Sequence, residues 1–472
     1  MFKNFQEANG FIQKTSWMGA KLDLSRITKL CALLGNPQKK LRFVHVAGTN
    51  GKGSTSAMVA SVLMQAGYKT GLYTSPPLVC FGERMQVDGV NARDDEVIEL
   101  AWEIKKASEL MADPPTEFEV ITAMSLLHFF NNKCDIVVFE VGMGGRLDAT
   151  NVIDAPFVSV ITTIGLDHTE FLGDTKEKIA GEKAGIIKKG TVVVSHPQEA
   201  HVAEVIKRKC QRESVEVKFV ALNEIIPVKA DLDGQFFMYA DKKPSNYTGE
   251  TAILRKTRKC TSPSLPSVAA KGQSEKQNAE IAFSQYTNNI GSEYFIPLLG
   301  EHQLQNAAAA IEVAFALQSR GLKIIRDDLC LGLGKIKWQG RFQVLRKNPP
   351  FILDAAHNPA GVETAVKTLL TLFPSKKIIF MMGVLADKDY VGMLKKLIPY
   401  ATQIIFVPTE GVRGLSAAKL QEAAKDLGFA AIQANSIEAG INTATELSHG
   451  GGVVCALGSF TIVPDVLRLV SG

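Results

Sequence analysis

Short apolar runs alternate along this chain with glycine-bearing turns and stretches of helical spacing. LRFVHVA (41–47) is the first run, followed by GTNGKGS (48–54) and a segment over 54–66 that puts Met58, Val62 and Leu63 on one helical face before Gly67. Residues 69–73 predict another short strand and 118–130 an amphipathic helix. DIVVFEV (135–141), FVSVITT (157–163) and TVVVS (191–195) repeat the strand type. Runs this continuously apolar are buried on both faces. Their alternation with helices predicts a doubly wound, mostly parallel sheet.

Between 227 and 296 the texture changes. KTRKCTSPSLPSVAAKGQSEKQN is rich in Ser, Pro and Lys and has no period, so the region reads as an exposed insertion with some mobility. Helical spacing returns over the alanine-rich stretch 303–317. A second α/β series follows Gly340-Arg341, with strands expected at 351–354, 377–382, 403–407, 430–433 and 452–457 and a helix over 362–372. The fold class is therefore α/β. Residues 1–338 form a P-loop-type, ATP-binding sheet domain, 339–349 a linker stiffened by KNPP, and 350–472 a smaller Rossmann-like domain.

Composition narrows the classes. With 472 residues, two cores are expected, and 46% hydrophobic with 21% charged residues is ordinary for a globular protein. A net charge of +5 over this length excludes a basic nucleic-acid binder and leans only weakly toward acidic substrates. The 7 cysteines are scattered without a C-x-x-C pair, which predicts reduced thiols rather than disulfides or zinc. MFKNFQEANGFIQKTSW lacks the apolar centre of a signal peptide, and no run reaches the roughly 20 apolar residues of a membrane span. A cytoplasmic protein without membrane or nucleic-acid partners is expected.

Candidate chemistry gathers where strands end. Gly48, Thr49, Asn50, Gly51, Lys52, Gly53 and Ser54 follow a strand and open a helix, where bare backbone N–H groups can wrap a phosphate and Lys52 adds charge. The stretch is not a standard Walker A, because Val46 stands where the first glycine belongs and Gly53 separates Lys52 from the hydroxyl. Glu140 closes an apolar strand, as an acid assisting magnesium does, or simply faces solvent there. GMGGRLD (142–148) is no dinucleotide fingerprint. Asp167-His168 and Asp354-Ala355-Ala356-His357-Asn358-Pro359 also follow strands, the carboxyl-end position where open sheets hold ligands. Either could equally be a turn or a satisfied histidine. Arg341 could reach a phosphate or remain a solvated charge.

AGTNGKGS (47–54), YTSPPLVCFGERM (73–85), EVGMGGRLDATN (140–151), GLDHTEFLG (165–173), EKAGI (182–186), GEHQLQNAAAA (300–310), GRF (340–342), DAAHNP (354–359), LADKD (385–389) and GSF (458–460) together resemble the folylpolyglutamate synthase/dihydrofolate synthase family of the Mur ligase superfamily. The resemblance implies an ATP-dependent ligase that joins L-glutamate to a folate or to dihydropteroate through an acyl phosphate, acting as a monomer. It implies that residues 49–54 cradle ATP, with Asn306, Arg341 and Asp354 completing the nucleotide site. Ser75, Glu140 and His168 would hold one or two magnesium ions, assisted by a carbamylated Lys183. His357 and Ser459 would lie near the incoming glutamate, and Phe118, Glu119, Thr122 and Asp148 near the pterin. The family's S-P-H-L is Ser75-Pro76-Pro77-Leu78 here, which alters the contacts of that loop.

Three other readings stay open. A cell-wall-type Mur ligase would carry a UDP-binding domain ahead of the loop, where only 47 residues precede Gly48. A non-ligating P-loop switch would not need the second sheet. A non-catalytic folate binder would not need Lys52, Glu140 and His168.

Overall fold

A computed structural model describes residues 1–15, 23–239, 292–409, 411 and 413–471. Eight strands make the first sheet: β1 (Phe43–Ala47), β2 (Thr70–Tyr73), β3 (Met85–Val87), β4 (Val90–Asn91), β5 (Ile136–Glu140), β6 (Val158–Ile161), β7 (Val192–Ser195) and β8 (Val217–Phe219). Their order is β4-β3-β2-β5-β1-β6-β7-β8, parallel except for the antiparallel β2-β3 and β3-β4 pairs. The expected apolar runs are its central strands, and their side chains alternate between two cores. Val44, Val46, Leu72 and Val138 face the Lys52–Gln65 helix, while Phe43, Tyr73, Val137 and Phe139 face the Glu117–Asn131 helix.

The Lys52–Gln65 helix is apolar on nearly every side because it is covered all round. The Arg326–Gly334 helix lies so close that a Cβ on Gly332 would sit 2.5 Å from Val62 Cα, and Ser61 Oγ donates to Gly332 O at 2.6 Å. The alanine-rich Glu301–Ser319 helix packs in the same core, its small side chains allowing close approach.

Two sequence expectations need correction. The flanks of the 227–296 region are not an exposed insertion: β9 (Ile225–Asp231), β10 (Gly234–Tyr239) and β11 (Ser292–Ile296) form an antiparallel sheet. Phe237, Tyr239, Tyr294 and Ile296 of that sheet are fully buried in the first domain's core. The polar stretch KTRKCTSPSLPSVAAKGQSEKQN lies outside the described residues. The segment read as a linker, 339–349, contains β12 (Gln343–Lys347), which pairs antiparallel with β13 (Pro350–Leu353). With β14 (Ile378–Met382), β15 (Ala401–Phe406), β16 (Ile432–Gln433) and β17 (Val453–Leu457) they form a second sheet in the order β12-β13-β17-β14-β15-β16. Its strands β13 to β17 run parallel, and the central β13, β14 and β17 are buried along their whole length.

Candidate active site

The carboxyl ends of β1, β2, β5 and β6 converge. The loop after β1 turns at Gly51, where φ is +89° and a Cβ would lie 2.6 Å from Asn306 Oδ1. Only glycine meets both demands, one of backbone sign and one of space. Thr49 and Asn50 dock on the chain beyond β6, their N–H groups donating to Thr163 O at 2.9 and 3.3 Å. Thr49 Oγ1 exchanges hydrogen bonds with the N–H and C=O of Gly165, both 3.1 Å. From the Glu301–Ser319 helix, Asn306 Oδ1 accepts from Thr55 Oγ1 at 3.3 Å, and Gln303 Nε2 donates to the buried Ser54 Oγ at 3.5 Å. Gly53 packs under Trp338: a Cβ there would meet the indole at 3.0 Å. That tight contact favours the glycine between Lys52 and Ser54 that breaks the Walker A pattern.

Two lysines share one carbonyl. Lys52 Nζ donates to Gly48 O at 3.0 Å and Thr49 O at 3.2 Å, and Lys183 Nζ donates to Gly48 O at 2.8 Å. Burial, with Lys52's charge added, lowers Lys183 to about 7 despite Asp167 and Asp148. Glu140 is buried at the end of β5, and its Oε2 accepts the Ser75 N–H at 3.1 Å. Burial raises its pKa, while Lys52, the Ser75 N–H and Arg341 oppose the shift. Ser75 begins the 75–80 loop, which Glu83 holds by accepting from the N–H groups of Leu78 at 2.6 Å and Val79 at 3.1 Å. Pro77 stands in this loop in place of the family's histidine.

The second domain adds its own side chains. Asp354 accepts from Phe342 N at 2.8 Å and Ala356 N at 2.7 Å, and burial raises it to about 6 against the pull of Arg341. The Arg341 guanidinium lies 5.0 Å from the centre of the Phe460 ring, and His357 packs against the same ring at 4.9 Å with the planes tilted by 46°. His357 Nδ1 is 3.0 Å from Ala355 O. Ser459 Oγ caps the following turn, accepting from Thr461 N at 3.1 Å.

His168 is exposed, with φ +48°, and its ring is 3.8 Å from Asp167. Partial burial and the charges of Lys388, Lys52 and Lys183 lower its pKa, with Asp167 opposing. Among the described residues, no three His, Cys, Asp or Glu side chains gather as a metal cluster. Ser75, Glu140 and His168 supply only two such side chains and a hydroxyl. Of these, the Glu140 carboxylate and the Ser75 hydroxyl are oxygen donors of the kind magnesium takes, its shell being completed by water and phosphate oxygens.

The expected pterin residues divide. Phe118 packs its ring against Gly142, where a Cβ would be 2.3 Å from Phe118 Cζ, and lies 6.4 Å from the Tyr73 ring. Thr122 is fully buried, with Oγ1 3.5 Å from Tyr73 OH. One Glu119 oxygen serves structure: Oε2 accepts from Thr116 N at 2.7 Å, Thr116 Oγ1 at 3.0 Å and Arg26 Nε at 3.0 Å, while Oε1 is buried without a hydrogen-bond partner. The T-x-x-E spacing of Thr116 and Glu119 is a capping box that the sequence already displayed. Asp148 accepts from Met143 N at 2.8 Å and Thr150 N at 3.0 Å, tying down the 142–148 turn.

Residues that sequence reasoning missed also line the site. Trp338 and Glu83 border a cavity of about 370 Å³ that opens beside Gly53, Ser75, Glu140 and Arg341. Lys388 contributes positive charge at both His168 and His357. KWQGRF and LADKD were the signals available for Trp338 and Lys388.

Comparison with known proteins bears on the whole chain. Residues 46–314 match the Mur ligase middle domain and 340–460 the Mur ligase glutamate ligase domain. The Bacillus subtilis dihydrofolate synthase/folylpolyglutamate synthase is 35% identical over 431 residues, covering 90% of each chain. The Lacticaseibacillus casei folylpolyglutamate synthase is 32% identical over 86% of each. A Mycobacterium tuberculosis folylpolyglutamate synthase complexed with ADP superposes with a TM-score of 0.82 at 28% identity, over 99% of this chain and 98% of that one. Escherichia coli FolC in complex with DHPP and ADP gives 0.79 at 28% identity, with the same coverage. A phosphate loop on one parallel sheet, faced by Arg341 and Asp354 from a second, is thus shared in overall fold with these ligases, and the chain belongs to the Mur ligase family, in its folylpolyglutamate synthase/dihydrofolate synthase branch.

Proposed function

We propose that this protein is an ATP-dependent ligase that joins L-glutamate to a folate, to dihydropteroate, or to both. The observation that carries this reading is electrostatic. Glu140, buried at the end of β5, lies within the fields of Lys52 from the phosphate loop and Arg341 from the far side of the domain junction. A phosphoryl group in transfer spreads negative charge over its oxygens, and cations fixed around it supply the stabilisation such a reaction needs.

In the proposed reaction the γ-phosphoryl of ATP passes to the acceptor's carboxylate, giving an acyl phosphate. The glutamate amine attacks that carbonyl, and phosphate leaves. Residues 51–54 present N–H groups and Lys52 to the phosphates, Thr49 and Asn50 being anchored on Thr163 O, Asn306 holds the loop from the 301–319 helix, and Asp354 places a negative charge beside Arg341. Ser75, Glu140 and His168 would hold magnesium, which supplies charge neutralisation on the transferring phosphoryl group. Lys183 is neutral enough near pH 7 to react with carbon dioxide, and as a carbamate it would add an anionic ligand beside the loop. His357, Ser459 and Lys388 form the second-domain side on which glutamate would enter, and Phe118, Thr122 and Asp148 the face for the pterin. The site residues divided between two sheets favour ligation over a nucleotide switch, because closing two domains excludes water from an acyl phosphate.

No described helix is long and apolar enough to cross a membrane. We take the enzyme to be monomeric and cytoplasmic, as the family resemblance implies. The test is ADP release with ATP, magnesium and glutamate, adding dihydropteroate or tetrahydrofolate separately. Stimulation by dihydropteroate establishes dihydrofolate synthesis, and stimulation by tetrahydrofolate establishes tail extension. Release unaffected by either pterin would overturn the acceptor assignment.

A further inference from the structure

His45 sits in the middle of β1, three residues before the phosphate loop, completely buried beside Phe139. The reaction as drawn does not use it, and an apolar residue would fill the position more cheaply. Its partners explain it. His45 Nε2 lies 2.9 Å from Thr150 Oγ1, and Thr150 Oγ1 lies 2.5 Å from Asp148 Oδ1.

The protons in this chain follow from the charge on Asp148. Backbone N–H groups of Met143 at 2.8 Å and Thr150 at 3.0 Å favour its carboxylate form against the burial that raises its pKa, so it acts as an acceptor. The single Thr150 hydroxyl proton goes to Asp148 Oδ1 across the short contact. The Thr150 oxygen then accepts, and His45 must carry its proton on Nε2. Nδ1 is left a bare lone pair, and it is indeed buried without a partner. Burial, with Lys188 nearby, lowers His45 to about 3, so the ring stays neutral at working pH.

The far end of the chain is the acceptor pocket. Asp148 closes the 142–148 turn onto Met143, next to Gly142, and Gly142 is the surface on which the Phe118 ring rests. The same turn begins two residues after Glu140. We propose that His45 is a positioning residue of the acceptor pocket: through Thr150 it aligns Asp148, which sets the 142–148 turn against Phe118. This rests on the reading of the Phe118 face as the pterin site.

Steady-state kinetics of Thr150→Val and Thr150→Ser, with His45→Leu and His45→Gln, test it. Thr150→Val breaks the relay with little change in volume, while Thr150→Ser keeps the hydroxyl. The KM for the pterin acceptor should rise roughly tenfold in Thr150→Val and His45→Leu, the scale expected for a displaced pocket wall. The KM for ATP should hold, and Thr150→Ser and His45→Gln, each able to keep its hydrogen bond, should recover most of the loss. The imidazole spectrum of selectively ¹⁵N-labelled histidine adds a readout that needs no substrate: one neutral ring with a protonated Nε2, lost in His45→Gln and altered in Thr150→Val. A protonated Nδ1 on His45, or equal losses in the KM values for ATP and acceptor, would overturn the relay. A wild-type enzyme stimulated by neither pterin, with the expected histidine spectrum, would overturn the acceptor reading and leave the relay standing.

Discussion

Lys183 reaches back 135 residues to donate to the Gly48 carbonyl at 2.8 Å, so the EKAGI segment and the phosphate loop are one structural unit. The lysine pays for this position in basicity, falling to about 7 from an ordinary 10.5.

Stability should record that shift. Between pH 7 and 10.5 the unfolded chain holds this proton and the folded chain does not, so falling pH favours unfolding across that window and adds nothing further below it. In carbon-dioxide-free buffer, the melting temperature of wild type relative to Lys183→Met should therefore rise from pH 7 to pH 10. A constant difference would show that Lys183 stays charged in the fold. In the presence of bicarbonate, wild-type activity should increase and Lys183→Met activity should not.

Lys52→Ala should abolish ligation, with kcat falling by at least about 10²-fold, the usual size of a lost charge-stabilising group. The 49–54 backbone stays in place, so weak nucleotide binding should survive. Measurement of ADP release beside nucleotide titration separates the two. Wild-type-like turnover would remove Lys52 from the reaction.

Asp354 titrates near 6, and a carboxyl group with a raised pKa loses its charge as pH falls through that value. If Arg341 needs the charged partner, kcat/KM should decline below about pH 6. Asp354→Asn should be impaired at neutral pH and lack that acid limb. A limb unchanged in the variant would assign it to another group.

Glu119→Gln separates structure from substrate. Arg26 would lose its buried ionic partner but keep Asp23 at 2.9 Å and Asp113 at 3.4 Å, so the cost should fall below about 3–5 kcal/mol, the range for a buried charge left wholly unpaired. The melting temperature should drop by several degrees while the KM for the pterin shifts little. A large KM change at unchanged stability would return Glu119 to the binding site.

Much of this protein is legible in its sequence because burial on both faces leaves an unambiguous trace. DIVVFEV and FVSVITT read as strands for the same reason that they sit centrally in a parallel sheet. GTNGKGS announced a strand–loop–helix turn, since positive φ and close backbone approach both demand glycine. The β9-β10-β11 sheet was hidden because its partners are separated in sequence by a polar stretch and because β9 is largely exposed, so neither length nor period flagged it. The structural role of Glu119 was missed because one carboxylate chemistry serves capping, ion pairing and ligand binding alike. What surrounds it, Arg26 from 93 residues away, exists only after folding. Local spacing by itself determined the strands, the phosphate loop and the α/β class, which depend on neighbours along the chain. Only the tertiary structure decided that Lys183 meets Gly48, that Trp338 packs on Gly53, and that Arg341 from the second domain borders the same cavity as Glu140. Those relationships are set by distances across the fold that no run of residues encodes.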